Sequence, residues 1–173
     1  MILGLDLSTS IIGLCVVDKG GNIFYKDYID LRKEKTFFDK VEVAKDRILS
    51  TIRKNRISDV WIEQSLQAFR PGFSSAKTLL TLSKFGGIIE WIIYEGTGIS
   101  PQYIGASSAR KKCGITVPRG EKGKEVVMRF LLDKEPSFVV EYTKHGNIKK
   151  HFYDIADAIV IAKAGLICQQ KKN

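Results

Sequence analysis

Three strand-forming runs stand back to back at the start of the chain, and they constrain the fold more than any other feature. ILGLD (2–6), IIGLCVVD (11–18) and NIFYKDYI (22–29) are β-branched or aromatic, separated by STS and by Lys19-Gly20-Gly21. Short polar and Gly-bearing breaks between such runs predict hairpins, so the chain opens as a three-stranded antiparallel meander. Beyond it the pattern alternates. Residues 37–55 place Phe37, Phe38, Val41, Val43, Ala44, Ile48, Leu49 and Ile52 at helical spacing, and SDVWIEQ (58–64) reads as a short buried strand that delivers Glu63 to a loop. The longest helical pattern covers 74–95, with Ser74 or Ser75 as N-cap; QYIGA (102–106) reads as a fifth strand. A short basic helix over 107–115 capped by Ser107, a helix over 125–135, a polar hairpin or loop around His145-Gly146-Asn147 and a helix over 152–170 complete the chain. Strands followed by alternating helices and strands predict an α/β fold, a mixed five-stranded sheet flanked by helices.

With 173 residues there is room for one domain and scarcely for two. No apolar run approaches the roughly 20 residues a membrane helix needs, and MILGLDLSTS has neither the basic start nor the cleavage site of a secretory signal. A cytosol is the expected location. Cys15, Cys113 and Cys168 lack metal-ligand spacing and read as reduced thiols. The excess of 28 Lys+Arg over 19 Asp+Glu, a formal charge of +9, favours a polyanionic partner, nucleic acid first.

The 74–95 pattern is apolar on more than one side. Leu79, Leu82, Gly86, Ile89 and Ile93 follow one face, while Leu80, Ile88, Trp91 and Ile92 spread onto others. Such a helix is either fully buried or shared with a second subunit. Gly86-Gly87 costs about 1 kcal/mol per glycine in a helix interior, so close backbone packing is expected there.

Four acids stand where apolar residues would be expected. Asp6 ends the first strand and Glu63 the fourth; Asp154 and Asp157, at i and i+3, share one face at the start of the last helix. Asp154 alone could be an ordinary N-terminal acid favoured by the helix dipole, and Glu63 a strand-edge acid. Asp6, enclosed by ILGL and LS, is hard to explain without a function, because an unpaired buried carboxylate is costly. Together the four offer the oxygen-only environment that a hard cation such as Mg²⁺ requires. Two such ions hold the attacking and leaving oxygens of a phosphodiester in line, so the expected chemistry is metal-assisted phosphodiester hydrolysis.

Arg110, Lys111, Lys112, Arg119, Lys122 and Lys124 fall close together, with only Glu121 as an acid among them. A run like this is often a solvated face; beside a metal site it reads as a phosphate-binding surface. Phe69, Arg70 and Phe73 lie in a Gly/Pro loop after Glu63, where an aromatic can stack on an unpaired base or pack beneath the loop.

The blocks ILGLDLSTSIIGLCVVD, VWIEQSLQAF and DIADAIVIA resemble the three acidic blocks of the RuvC-type Holliday junction resolvases of the ribonuclease H-like superfamily, over essentially the whole chain. The resemblance implies a single RNase H-like nuclease domain over residues 1–173, a homodimer through the 74–95 helix, Mg²⁺ or Mn²⁺, and paired symmetric nicks across a four-way DNA junction. It makes Asp6, Glu63, Asp154 and Asp157 the metal-binding tetrad. A basic residue near the scissile phosphate would come from Gly120-Glu121-Lys122-Gly123-Lys124-Glu125, as Lys124 or Lys122, with Lys124 preferred. The sequence departs from bacterial members at LDLSTS, where they usually carry a proline-glycine turn, in lacking an aromatic three residues after Glu63, and in a longer connection over 138–150. These departures fit a phage, viral or otherwise divergent member, acting in a bacterial or host-cell cytosol.

Two other readings compete. Asp6-Leu7-Ser8-Thr9-Ser10 is similar to the phosphate loop of actin-like sugar kinases, but those need two such domains around the nucleotide. A non-catalytic nucleic-acid-binding relative would have lost the acids that this chain keeps.

Overall fold

A computed structural model describes residues 1–64 and 76–171. The strands are β1 (Ile2–Asp6), β2 (Ile11–Val17), β3 (Ile23–Asp30), β4 (Asp59–Glu63) and β5 (Gln102–Ile104). The helices are α1 (Phe37–Lys54), α2 (Ala76–Thr97), α3 (Ala106–Lys112), α4 (Gly123–Lys134) and α5 (His151–Gln170). One sheet has the order β3-β2-β1-β4-β5: β1, β2 and β3 form the antiparallel meander, while β4 and β5 add in parallel. The mixed five-stranded sheet expected from the sequence is borne out.

Local chemistry explains the boundaries. The Asp18 carboxylate accepts from the amides of Gly20 and Asn22, and Gly21 takes a φ of 81°, which closes the β2–β3 turn. In α1 the Thr36 hydroxyl accepts from the Asp39 amide while the Asp39 carboxylate accepts from the Thr36 amide, a reciprocal cap. Ser107 does not cap α3; Gly105 does, without a side-chain bond, and the helix begins at Ala106. Likewise α4 starts at Gly123 rather than at residue 125, which takes Lys124 into its first turn. The expected Ser74 or Ser75 cap of α2 lies outside the described residues.

Each face of the sheet carries its own core. Leu3, Leu5, Ile12, Leu14, Val16, Val60 and Ile62 pack against α1 and α2. Ile2, Cys15, Val17 and Trp61 pack beneath α3, α4 and α5. Fully burying one such aliphatic side chain is worth about 1.5–3 kcal/mol. In α2 Ile89 and Ile93 of the expected face are buried and Phe85 joins them, while Leu79, Leu82 and Gly86 of that face are partly buried. Among the described residues nothing outside the helix's own backbone lies within 4 Å of a Cβ built on Gly86 or Gly87, so the close packing expected there is not made by them. Leu80, Trp91 and Tyr94 remain exposed on this helix. No helix is long and apolar enough to cross a membrane among the described residues.

Candidate active site

Strand parity decides which side chains meet. With Leu3 and Leu5 committed to the α1/α2 side, Ile2, Gly4 and Asp6 turn toward α5; with Val60 and Ile62 on that same far side, Trp61 and Glu63 turn toward α5 as well. The parallel register runs from Ile2↔Asp59 to Leu5↔Ile62, so Asp6 and Glu63 end neighbouring strands side by side.

Glycines then let α5 lie directly on the backbone of this face. A methyl group on Gly4 would stand 2.4 Å from the Ala158 carbonyl oxygen, and one on Gly13 would stand 2.0 Å from that of Asp154. Gly13 is the cross-strand partner of Asp6, so the tight approach occurs beside Asp6 and brings Asp154 and Asp157 to it. Sequence reasoning passed over Gly4 and Gly13, although a glycine inside a strand signals close backbone approach. After Asp6 the chain turns sharply: the Ser8 hydroxyl accepts from the amides of Ser10 and Ile11 and donates to the Ile11 carbonyl. The Lys40 ammonium donates to the Thr9 carbonyl at 2.7 Å, which ties α1 to this turn.

One carboxylate oxygen each from Asp6, Glu63 and Asp157 lie within 4.8 Å of one another. The Lys124 Nζ stands 3.1 Å from Asp154 Oδ1, 3.3 Å from Asp157 Oδ2 and 3.9 Å from Asp6 Oδ2. Of the two lysines weighed from sequence, Lys124 is the one brought to the acids, while Lys122 is the exposed N-cap of α4. Arg110 turns inward, its Nη2 3.5 Å from Asp157 Oδ1. Its guanidinium lies against Gly123, where an added Cβ would meet Arg110 Nη1 at 2.4 Å. Lys111, Lys112 and Arg119 are exposed. Phe69, Arg70 and Phe73 fall outside the described residues.

Crowding acids at one buried point raises the cost of ionising Asp6 and Glu63. Burial first, then the Glu63 and Asp157 carboxylates, hold the Asp6 carboxyl well above its usual range, against the pull of Lys124. Burial and then Asp157 push Glu63 up to about 7, opposed by Arg110 and Lys124. Burial works against the charge on Lys124, but Asp6, Asp157 and Asp154 outweigh it and raise its pKa. With all four carboxylates ionised, as metal ligation would require, one ammonium and one guanidinium would leave two negative charges uncompensated. A desolvated, oxygen-only and net-negative cluster fits a hard divalent cation, with Asp6, Glu63 and Asp157 as the first candidates to hold it.

The sheet order and the two-sided helix packing define an RNase H-like α/β fold. Within that class the structure is similar to the RuvC-type resolvases. Thermus thermophilus RuvC in complex with a Holliday junction substrate matches with a TM-score of 0.68 and 15% identity, covering 98% of this chain and 94% of that one. A second T. thermophilus RuvC structure matches with a TM-score of 0.65 at 15% identity, over 99% and 96% of the two chains. The yeast mitochondrial Holliday junction resolvase Ydc2 matches with a TM-score of 0.63 at 14% identity, over 98% of this chain and 79% of that one. No family model matches the sequence, and no curated protein is similar to it in sequence. The likeness expected from the acidic blocks is therefore borne out at the level of the fold.

Proposed function

We propose that this chain is a metal-dependent endonuclease that resolves four-way DNA junctions. The observation that carries the reading is the convergence of Asp6, Glu63, Asp154, Asp157 and Lys124 at one end of a sheet whose fold matches a junction-bound RuvC over nearly its whole length. Asp6, Glu63, Asp154 and Asp157 would hold Mg²⁺ or Mn²⁺, two ions per site on the resemblance. Bound there, the metal supplies Lewis-acid stabilisation of charge on the phosphoryl oxygens. Lys124, with its side chain half exposed, can turn its ammonium from the carboxylates to a phosphate oxygen where transition-state charge develops. Arg110 stays in place beneath, holding Asp157. Lys111, Lys112, Arg119 and Lys122 serve phosphates flanking the site, with Phe69, Arg70 and Phe73 as further DNA contacts.

A junction presents two strands of like polarity, so paired nicks need two sites related by a two-fold axis. The exposed Leu80, Trp91 and Tyr94 of α2 and the open space over Gly87 support a homodimer through this helix. The test incubates the protein with a four-way junction, a Y-fork and linear duplex in Mg²⁺ or Mn²⁺. Paired symmetric nicks on the junction are expected, lost in Asp6→Asn with junction binding retained. Junction binding without nicking in either metal would favour the non-catalytic reading, and ATP binding the kinase one.

A further inference from the structure

Residues 135–150 connect α4 to α5, and their middle is an ordered hairpin. Tyr142 and Ile148 form an antiparallel bridge; the Thr143 amide donates to the Asn147 carbonyl at 2.7 Å, and the Lys149 amide to the Glu141 carbonyl at 3.0 Å. At the tip the Thr143 hydroxyl accepts from the amides of His145 and Asn147, and Gly146 takes a φ of 78°. The base is fixed too. The Lys26 ammonium donates to the Ser137 carbonyl, Phe138 packs edge-on against Phe152, and His151 stacks on Tyr28 with ring centroids 4.0 Å apart.

Nothing in packing asks for this hairpin, because residues 141–147 are all exposed. Its charge is one-sided. Lys149 pairs with Glu141, which leaves Lys144 and Lys150 with no carboxylate partner among the described residues, and Tyr142 is 57% exposed. Its location is specific as well: the hairpin runs straight into the first turn of α5, and Asp154 lies one turn beyond His151.

Given a phosphodiester-cleaving site at Asp154, we infer that the 141–150 hairpin is a second DNA contact, gripping the backbone of the duplex arm that leaves the cut strand; this rests on the nuclease reading above. At the base of the hairpin Lys150 turns into α5 as its N-cap, with φ −56° and ψ −37°. Lys144 and Lys150 each neutralise a phosphate on that arm, and Tyr142 lies against the sugar-phosphate edge. Such contacts orient the arm without reading its sequence.

The test measures junction affinity against salt for the wild type, for Lys144→Ala with Lys150→Ala, and for a control of equal charge change, Lys19→Ala with Lys54→Ala. Each phosphate contact contributes about 0.9 to the log–log slope. The hairpin variant is therefore expected to flatten the slope by about 1.8, so that between 50 and 200 mM salt the wild type loses roughly 12-fold more affinity than the variant does. The control keeps the wild-type slope. A hairpin variant with the wild-type slope overturns the inference, as does a control that flattens equally, which would reduce the effect to net charge. A wild type that binds no junction at all overturns the nuclease reading and this contact with it.

Discussion

Glu63→Gln is expected to stabilise the metal-free protein above neutral pH while abolishing cleavage. Burial and the Asp157 carboxylate move the Glu63 carboxyl from 4.5 to about 7. Between those values the folded protein keeps a proton that the unfolded chain has released, so stability falls as pH rises through this window. By pH 8 the folded state carries an ionised Glu63 against its surroundings, and at about 1.36 kcal/mol per pKa unit that costs about 3 kcal/mol. Glutamine has nearly the same shape and no charge to ionise, so it removes the cost. Near pH 5 the wild-type carboxyl is protonated in the fold and the two proteins should differ little. For a domain of this size 1 kcal/mol moves Tm by about 2–4 °C. The variant should therefore melt roughly 6–12 °C higher at pH 8 in EDTA, as followed by circular dichroism. Millimolar Mg²⁺ should shrink or invert the gap, because a cation bound only to the folded state stabilises the protein that keeps the charge. Equal melting differences at pH 5 and pH 8 would refute the reasoning, since a packing effect of the amide would not follow the titration of Glu63.

Lys124→Ala should slow cleavage by roughly 10²–10³ with a much smaller loss of junction affinity, because a cation matters most where transition-state charge develops; single-turnover rates at saturating protein separate the two. Gly13→Ala should cost about 3 kcal/mol or more, since the new methyl meets backbone atoms of Asp154 and Ile155 that have nowhere to go; a melting temperature within 2 °C of wild type would show that α5 slides at little cost. Trp91→Glu replaces a side chain 63% exposed in the subunit, so it should leave the fold within about 0.5 kcal/mol and, in sedimentation, split the proposed dimer. A wild type that is monomeric at micromolar concentration would sink the α2 interface while leaving the acid cluster untouched.

Much of the fold was legible in local pattern. Gly20-Gly21 between two β-branched runs specifies a hairpin through backbone freedom alone, and the order of strand and helix runs leaves few sheets to choose from. Asp6 stood out because a lone carboxylate among ILGL and LS carries a desolvation cost that packing does not explain. What the sequence left open depends on how elements are rotated and translated against one another. Arg110, Lys111 and Lys112 read as one basic run, yet only the seating of α3 against α5 turns Arg110 in to Asp157 and leaves the other two in solvent. On α2 the sequence named the face that carries Ile89 and Ile93, but only packing against the sheet and α1 adds Phe85 to it and leaves Leu80 and Trp91 exposed. Lys124 reaches the acids in preference to Lys122 because α4 begins two residues earlier than its apolar pattern indicates, with Gly123 pressed against the Arg110 guanidinium. Periodicity and turn chemistry act over a few residues and so can be read along the chain. The direction in which one side chain meets a distant partner is set by the packing of both cores at once, and only the tertiary structure decides it.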